Sequence, residues 1–137
     1  MPRFLDTNVL LRYFTGTPLD QAERAHRLLG RIERGEERAV TSVMVVFETV
    51  FTLERTYKVP KQQIREKVED ILSPPSLVLS GKRLLLQALE FYALEPRLSF
   101  ADAYNSLFMR EQGLTEIYTW DRDFDRVPGI SRIEPAD

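Results

Sequence analysis

The apolar residues of this chain fall into short continuous runs that alternate with longer stretches of helical periodicity. The short runs are too brief for surface helices and are bounded by turn-forming residues, so they predict β-strands. The predicted strands cover residues 3–5, 38–41, 77–79, 116–120 and 130–133. The longer stretches predict helices, because glycine, proline or capping residues mark their ends. The predicted helices cover residues 8–14, 18–34, 43–57, 60–73, 82–95 and 99–112.

This order of elements predicts an α/β fold. Strands that are separated by helices run parallel in one sheet, and the connecting helices cover both of its faces. We therefore expect a three-layer sandwich with a mostly parallel central sheet of about five short strands. The length of the chain favours one domain over residues 1–137.

Composition narrows the chemistry that such a domain can perform. The chain has no cysteine, so thiolate nucleophiles, disulfides and thiolate zinc sites are excluded. Its one histidine, His26, falls on an amphipathic helix, where a surface or boundary role is expected. A catalytic site in this chain must therefore be built from carboxylates. The net charge of -2 gives no global attraction to nucleic acid, so binding of that kind would depend on local arginines.

No part of the sequence indicates a membrane protein. No apolar run approaches the roughly 20 residues that a spanning helix needs, and the N-terminus lacks the pattern of a secretory signal. We expect a cytoplasmic protein without a membrane partner.

The helix that begins at Val43 is apolar on nearly all sides, which predicts a central and largely buried position. Glu48 is the only charged residue between Val43 and Leu53. A buried carboxylate without a partner is costly, so Glu48 needs a distant cation, a metal ion or a solvent-filled cleft. A carboxylate that simply reaches a seam of solvent is the other explanation.

Acidic residues also follow two of the predicted strands. Asp6 comes directly after the first strand and Asp121 directly after the fourth, and ligands of open parallel sheets bind at these carboxyl ends. Asp102 lies in the first turn of a helix, where Ser99 and the helix dipole also explain it as a capping residue. Four carboxylates in one cleft would raise one another's pKa unless a divalent cation neutralised them, and oxygen ligands favour Mg²⁺ or Mn²⁺.

The order of these motifs resembles the PIN-domain ribonucleases, and more narrowly the VapC toxins of toxin–antitoxin pairs. The resemblance rests on the segments Asp6-Thr7-Asn8, Glu48, Ser99–Ala103 and Thr119–Phe124, and it spans nearly the whole chain. It implies an endoribonuclease that depends on Mg²⁺ or Mn²⁺, is dimeric, and is inhibited by a cognate antitoxin. The implied products of hydrolysis by water are a 5′-phosphate and a 3′-hydroxyl.

The resemblance also implies a role for particular residues. The catalytic and metal-binding quartet would be Asp6, Glu48, Asp102 and Asp121, holding one or two ions. Thr119 matches the residue that orients the first aspartate, and Asp123 is the alternative to Asp121 as fourth acid. Two further supporting residues, Thr7 and Asn8, would hold the carboxylate of Asp6 in place. Four arginines near these motifs are candidates for contacting RNA phosphates, although each is equally explained as a solvated surface residue: Arg12, Arg110, Arg122 and Arg126.

Other functions remain open at this point. A PIN-like RNA-processing enzyme or a non-cleaving module that binds RNA or protein would share the fold. A phosphoacceptor signalling domain would explain Asp6 and Asp121, but it requires a lysine after the last strands, and none follows Lys82. The sequence does not distinguish tRNA, rRNA and mRNA as substrates. An adjacent gene for a small DNA-binding antitoxin would favour the toxin.

Overall fold

Along residues 1–136, which are those that the computed structural model describes, five short strands alternate with six α-helices and one 3-10 helix. In chain order the elements are β1 (Arg3–Phe4), α1 (Thr7–Thr15), α2 (Leu19–Glu33), β2 (Ala39–Val40), α3 (Val43–Arg55), α4 (Lys61–Leu72), β3 (Leu77–Val78), α5 (Lys82–Leu94), α6 (Phe100–Glu111), β4 (Glu116–Tyr118), the 3-10 helix (Arg122–Arg126) and β5 (Ser131–Ile133). Every predicted strand and helix has a counterpart, so the α/β class is confirmed.

The strands pair in two sets, and all pairs are parallel. Three strands form the order β1-β2-β3, in which Phe4 lies beside Val40 and Val40 beside Val78. The other two, β4 and β5, pair with Ile117 beside Arg132. The predicted single sheet of about five strands is not confirmed, because the described strands form one set of three and one set of two.

The described chain divides into two compact units, of which the first is Met1–Lys82. In this unit α1 packs against α2 and α3, and α3 packs against α4. The interior is made of the apolar faces that the helical periodicity predicts, including the buried Leu10, Ile32, Val50 and Ile64. Hydrogen bonds join the short strands of the β1-β2-β3 sheet in this unit. Asp6 follows β1 by two residues, so it lies at the carboxyl end of a strand of this sheet.

The second unit begins at Arg83 and contains β4, β5 and the last two α-helices. Tyr92 and Phe100 meet edge to face with 5.7 Å between their ring centroids. Leu98, Phe124 and Val127 form a small buried cluster that fixes the 3-10 helix after β4. The prediction of one domain over residues 1–137 stays a prediction, and residue 137 lies outside the described residues.

α3 differs from its prediction. Val46, Val50 and Leu53 are buried, but Met44 and Phe51 on the opposite side are 73% and 61% exposed. A helix that is apolar on all sides is buried only if its neighbours cover every face. The described neighbours of α3 leave the face with Met44 and Phe51 open. Within residues 1–136, no helix combines the length and the hydropathy that crossing a membrane requires.

Candidate active site

Asp6 is held at the end of β1 by the hydrogen bonds of the residue before it. The Leu5 N–H donates to the carbonyl oxygen of Val40 at 2.8 Å, and the Leu5 carbonyl accepts from the buried hydroxyl of Thr41 at 2.8 Å. Both polar groups of Leu5 are therefore tied to the β2 segment. These two bonds hold the chain at the point where it delivers the carboxylate of Asp6.

The carboxylate of Asp6 caps α1. Its Oδ1 accepts from the backbone N–H of Thr7 at 2.8 Å, and the side chain is exposed. Oδ2 accepts no hydrogen bond from the described residues, so one oxygen is free for a ligand. Of the two predicted supporting neighbours, Thr7 acts through its N–H while its side chain is buried, and Asn8 is exposed.

Glu48 lies on the open side of α3, between Met44 and Phe51. Its side chain is exposed, so the expected burial of this helix is wrong at Glu48, because the buried stripe of α3 runs along the opposite face. The exposure agrees with the other explanation, a carboxylate that reaches solvent. It forms no ion pair with any residue of the described chain. The carboxylate of Glu48 is therefore available to a ligand without the desolvation cost that a buried position would impose.

Asp102 is placed by the predicted capping residue of α6. The Ser99 hydroxyl oxygen accepts from the backbone N–H of Asp102 at 3.1 Å. Burial raises the pKa of the half-buried Asp102 carboxyl group above its ordinary value, and the negative charge of Asp121 raises it further. A hydrogen bond with Ser99 opposes this change in pKa, and the charge of Asp123 adds to it.

Asp121 and Asp123 follow β4 in a local network of hydrogen bonds. The hydroxyl oxygen of Thr119 accepts from the backbone N–H of Asp121 at 3.0 Å, and Oδ1 of Asp121 accepts from the N–H of Asp123 at 2.9 Å. Asp121 therefore caps the 3-10 helix, as a turn residue would. Thr119 positions Asp121 through these bonds; its predicted role toward Asp6 stays a prediction.

The structure brings three of the predicted acids within electrostatic reach of one another. Asp102, Asp121 and Asp123 all lie in the second unit, and the charges of the latter two act on the first. Asp6 and Glu48 belong to the first unit. No group of three or more side chains within residues 1–136 has the arrangement of a ready metal site. The gathering of all four acids in one cleft stays a prediction.

The four predicted RNA-contacting arginines have different surroundings. Arg12 lines an open groove in the first unit, where its Nε donates to Oε1 of Gln21 at 2.8 Å. The other three are exposed residues of the second unit: Arg110, Arg122 and Arg126.

The same groove is also lined by three arginines of α2 that the sequence alone does not single out: Arg24, Arg27 and Arg31. Their spacing of three and four residues places them on one face of the helix. This spacing is the feature of the sequence that could have indicated a shared role. The sequence does not reveal that this face meets β1 across a groove.

The fold and these acids define the class of protein. The family model described as "PIN domain" matches residues 3–130, so the chain belongs to the PIN-domain family. Among curated proteins, it is similar to the VapC ribonuclease of Aquifex aeolicus (strain VF5), with 26% identity over 133 residues. That alignment covers 97% of this chain and 96% of the relative, so the likeness extends over nearly the full length of both.

Proposed function

We propose that this protein is an endoribonuclease that depends on Mg²⁺ or Mn²⁺ and serves as the toxin of a toxin–antitoxin pair. The observation that carries the proposal is the group of Asp102, Asp121 and Asp123 in a chain of the PIN-domain family. Burial raises the pKa of Asp102, and the charges of Asp121 and Asp123 raise it further. A group of like charges with a perturbed pKa is a candidate for a ligand-binding site. The similarity to a VapC ribonuclease supports RNA as the substrate.

The residues fit a hard divalent cation. Every candidate ligand is a carboxylate and the chain has no thiolate. The pKa of Asp102 is raised by burial and then by the negative charge of Asp121 and Asp123, which a cation would neutralise. The residues that would hold it are Asp6, Glu48, Asp102 and Asp121, with Asp123 as the alternative fourth acid. When bound, the ion would supply Lewis-acid activation of a water molecule and of the phosphate oxygens.

The side chains of the protein have separate tasks in this proposal. Asp6, fixed through Leu5, would bind the ion with its free oxygen, and Thr119 would hold the backbone of Asp121 in place. The proposed hydrolysis needs no side-chain nucleophile, and a thiolate is excluded because the chain has no cysteine. In-line attack by water leaves a 5′-phosphate and a 3′-hydroxyl. A free 2′-hydroxyl attack would leave a cyclic phosphate instead.

The test is cleavage of total RNA and of structured RNA by the purified protein, with Mn²⁺ or with excess EDTA. We expect cleavage only with the metal ion, and end labelling should detect 5′-phosphate and 3′-hydroxyl termini. Cleavage in EDTA, or cyclic phosphate products, would contradict the proposed chemistry.

A toxin also needs a partner. We propose a cognate antitoxin protein, a homodimeric state and a cytoplasmic location, all of which follow from the VapC-like assignment. Growth arrest on expression, relieved by the neighbouring small gene, would support the toxin. Cleavage without growth arrest would favour an RNA-processing PIN enzyme, and RNA binding without cleavage would favour a non-cleaving module. The PIN-domain match gives no support to a phosphoacceptor domain.

A further inference from the structure

A groove of the first unit lies beside Asp6 and is rich in arginine. It has a volume of about 770 Å³ and lies between β1, α1 and α2. Six of the side chains that line it carry the argument: Arg3, Phe4, Arg12, Arg24, Arg27 and Arg31. Glu37 is the one acidic residue on its wall. This is a strong local excess of positive charge in a chain whose net charge is -2.

Most of these guanidinium groups are available to a ligand. Arg31 lies 3.7 Å from Glu37 in a partly exposed ion pair. Among the described residues, Arg3, Arg24 and Arg27 pair with no carboxylate. Arg24, Arg27 and Arg31 form a row about 10 Å long on one face of α2, given the rise of a helix. Such a row presents several positive charges in sequence to an extended anion.

The groove also has an aromatic wall. Phe4 lines it and is 59% exposed, although it belongs to a strand whose neighbouring residue Leu5 is buried. Guanidinium groups beside an exposed aromatic ring match a ligand that alternates anionic groups with flat rings. Single-stranded RNA has this chemistry. An acidic peptide would match the arginines, but it would not explain the exposed aromatic ring of Phe4.

The position of the groove connects it to the proposed catalytic residues. Leu5 and Asn8, which stand on either side of the Asp6-Thr7 pair, both line it. An RNA strand bound along α2 would therefore continue to the start of α1, where Asp6 presents its carboxylate. We propose that this arginine groove binds single-stranded RNA next to the cleavage position, with Arg24 and Arg27 on its phosphates and Phe4 stacked on a base. The part of this inference that identifies the bound RNA as the strand that is cleaved rests on the proposed function.

The test measures binding separately from cleavage. A fluorescently labelled single-stranded oligoribonucleotide of mixed sequence is titrated with the protein in EDTA, at several salt concentrations, and its anisotropy is followed. We expect the double variant Arg24→Gln/Arg27→Gln to bind at least about tenfold more weakly. The slope of log K against log salt should fall by about 1.4, since each contact with single-stranded phosphate contributes about 0.7.

A charge-matched control removes two cations from the same unit outside the groove. Arg34→Gln/Lys67→Gln lowers the net charge equally, and neither residue lines the groove. We expect the affinity and salt slope of this control to remain close to those of the parent protein. Circular dichroism should show that all variants keep the fold, because the changed side chains are exposed.

Phe4→Leu tests the aromatic wall independently of charge. We expect about fivefold weaker binding or more, with an unchanged salt slope, because stacking involves no phosphate contact. A loss in the arginine variant that matches the loss in the charge control would overturn the proposal, since only net charge would matter.

The outcomes also separate this inference from the proposed function. Wild-type cleavage with Mn²⁺, combined with unchanged RNA binding by the arginine variant, would overturn the groove and leave the nuclease intact. Groove-dependent binding by a protein that never cleaves would overturn the nuclease and keep the groove. If the arginine variant lost affinity for polyglutamate but not for RNA, the occupant would be an acidic protein segment and the inference would be wrong.

Discussion

Asp6 and Asp102 both stand at the start of a helix, but their surroundings are opposite. Asp6 is exposed, holds one hydrogen bond from Thr7, and neighbours an arginine groove. Asp102 is half-buried and lies within reach of two further aspartates, whose charges raise its pKa. The first unit therefore offers positive charge to an anion, whereas the second unit concentrates negative charge. The contrast predicts that substitutions of the two acids affect activity alike and stability differently.

The largest expected effect is the loss of cleavage in Asp6→Asn. An amide keeps the hydrogen bond from the Thr7 N–H but removes the charge, so the fold should persist. We expect cleavage to fall on the order of a thousandfold, which corresponds to about 4 kcal/mol of activation free energy. Cleavage rates with Mn²⁺ and thermal unfolding of the same sample measure the two effects.

Asp20→Asn is the matched control, because Asp20 is an exposed acid in the first turn of α2. Its cleavage rate should equal that of the parent protein. An Asp6→Asn variant that unfolds would show that the residue has an architectural role instead.

The second unit offers a choice between two acids for the fourth position. The hydroxyl of Thr119 fixes the backbone of Asp121, which comes three residues after the end of β4, so Asp121→Asn should reduce cleavage by about a hundredfold. Asp123→Asn should have a much smaller effect, since Asp123 acts on Asp102 only through its charge. Single-turnover cleavage of one RNA substrate by both variants decides between them. A larger loss in Asp123→Asn would reverse the assignment.

Thr41→Val tests how the first unit holds Asp6. The substitution leaves the buried carbonyl of Leu5 without its hydroxyl donor, which should lower the free energy of unfolding by about 1–3 kcal/mol. Thr49→Val is the control, because the Thr49 hydroxyl bonds to the Val45 carbonyl of the same helix, which has a backbone donor in its turn. Urea unfolding of both variants gives the difference. Equal losses would mean that the bond to Leu5 has no special weight.

The smallest expected effect is a gain of stability in Asp102→Asn. Removing a charge that its neighbours repel should raise the free energy of unfolding by about 0.5 kcal/mol at pH 7 in EDTA. The raised pKa means that the folded wild type binds more protons than the unfolded chain, so its stability falls as pH rises through that window. The advantage of the variant should therefore vanish once the pH falls below the ordinary aspartate pKa of 3.8. Thermal unfolding against pH, with Asp6→Asn showing no such gain, would sharpen the contrast between the units.

The local features of the molecule follow from the sequence, and the long-range ones do not. Glycine, proline and Ser99 mark element ends because capping and backbone conformation depend on neighbouring residues. The open face of α3 could not be predicted, because Met44 and Phe51 are as apolar as the residues that α4 covers. The pairing of β4 with β5, and the meeting of α2 with β1 across a groove, depend on how whole elements pack together, which local sequence patterns do not encode. The quartet came from the resemblance, and only the grouping of its second-unit members has a structural counterpart.

The hydrogen bonds of Leu5 have a consequence for local opening of the structure. Its amide proton is bound within a sheet, and its carbonyl is bound by a buried hydroxyl, so the amide can exchange with deuterium only when β1 separates from β2. That separation is also the motion that would release Asp6 from its place. The protection of the single amide at residue 5 against exchange therefore reports the fraction of time in which the proposed catalytic residue is out of position.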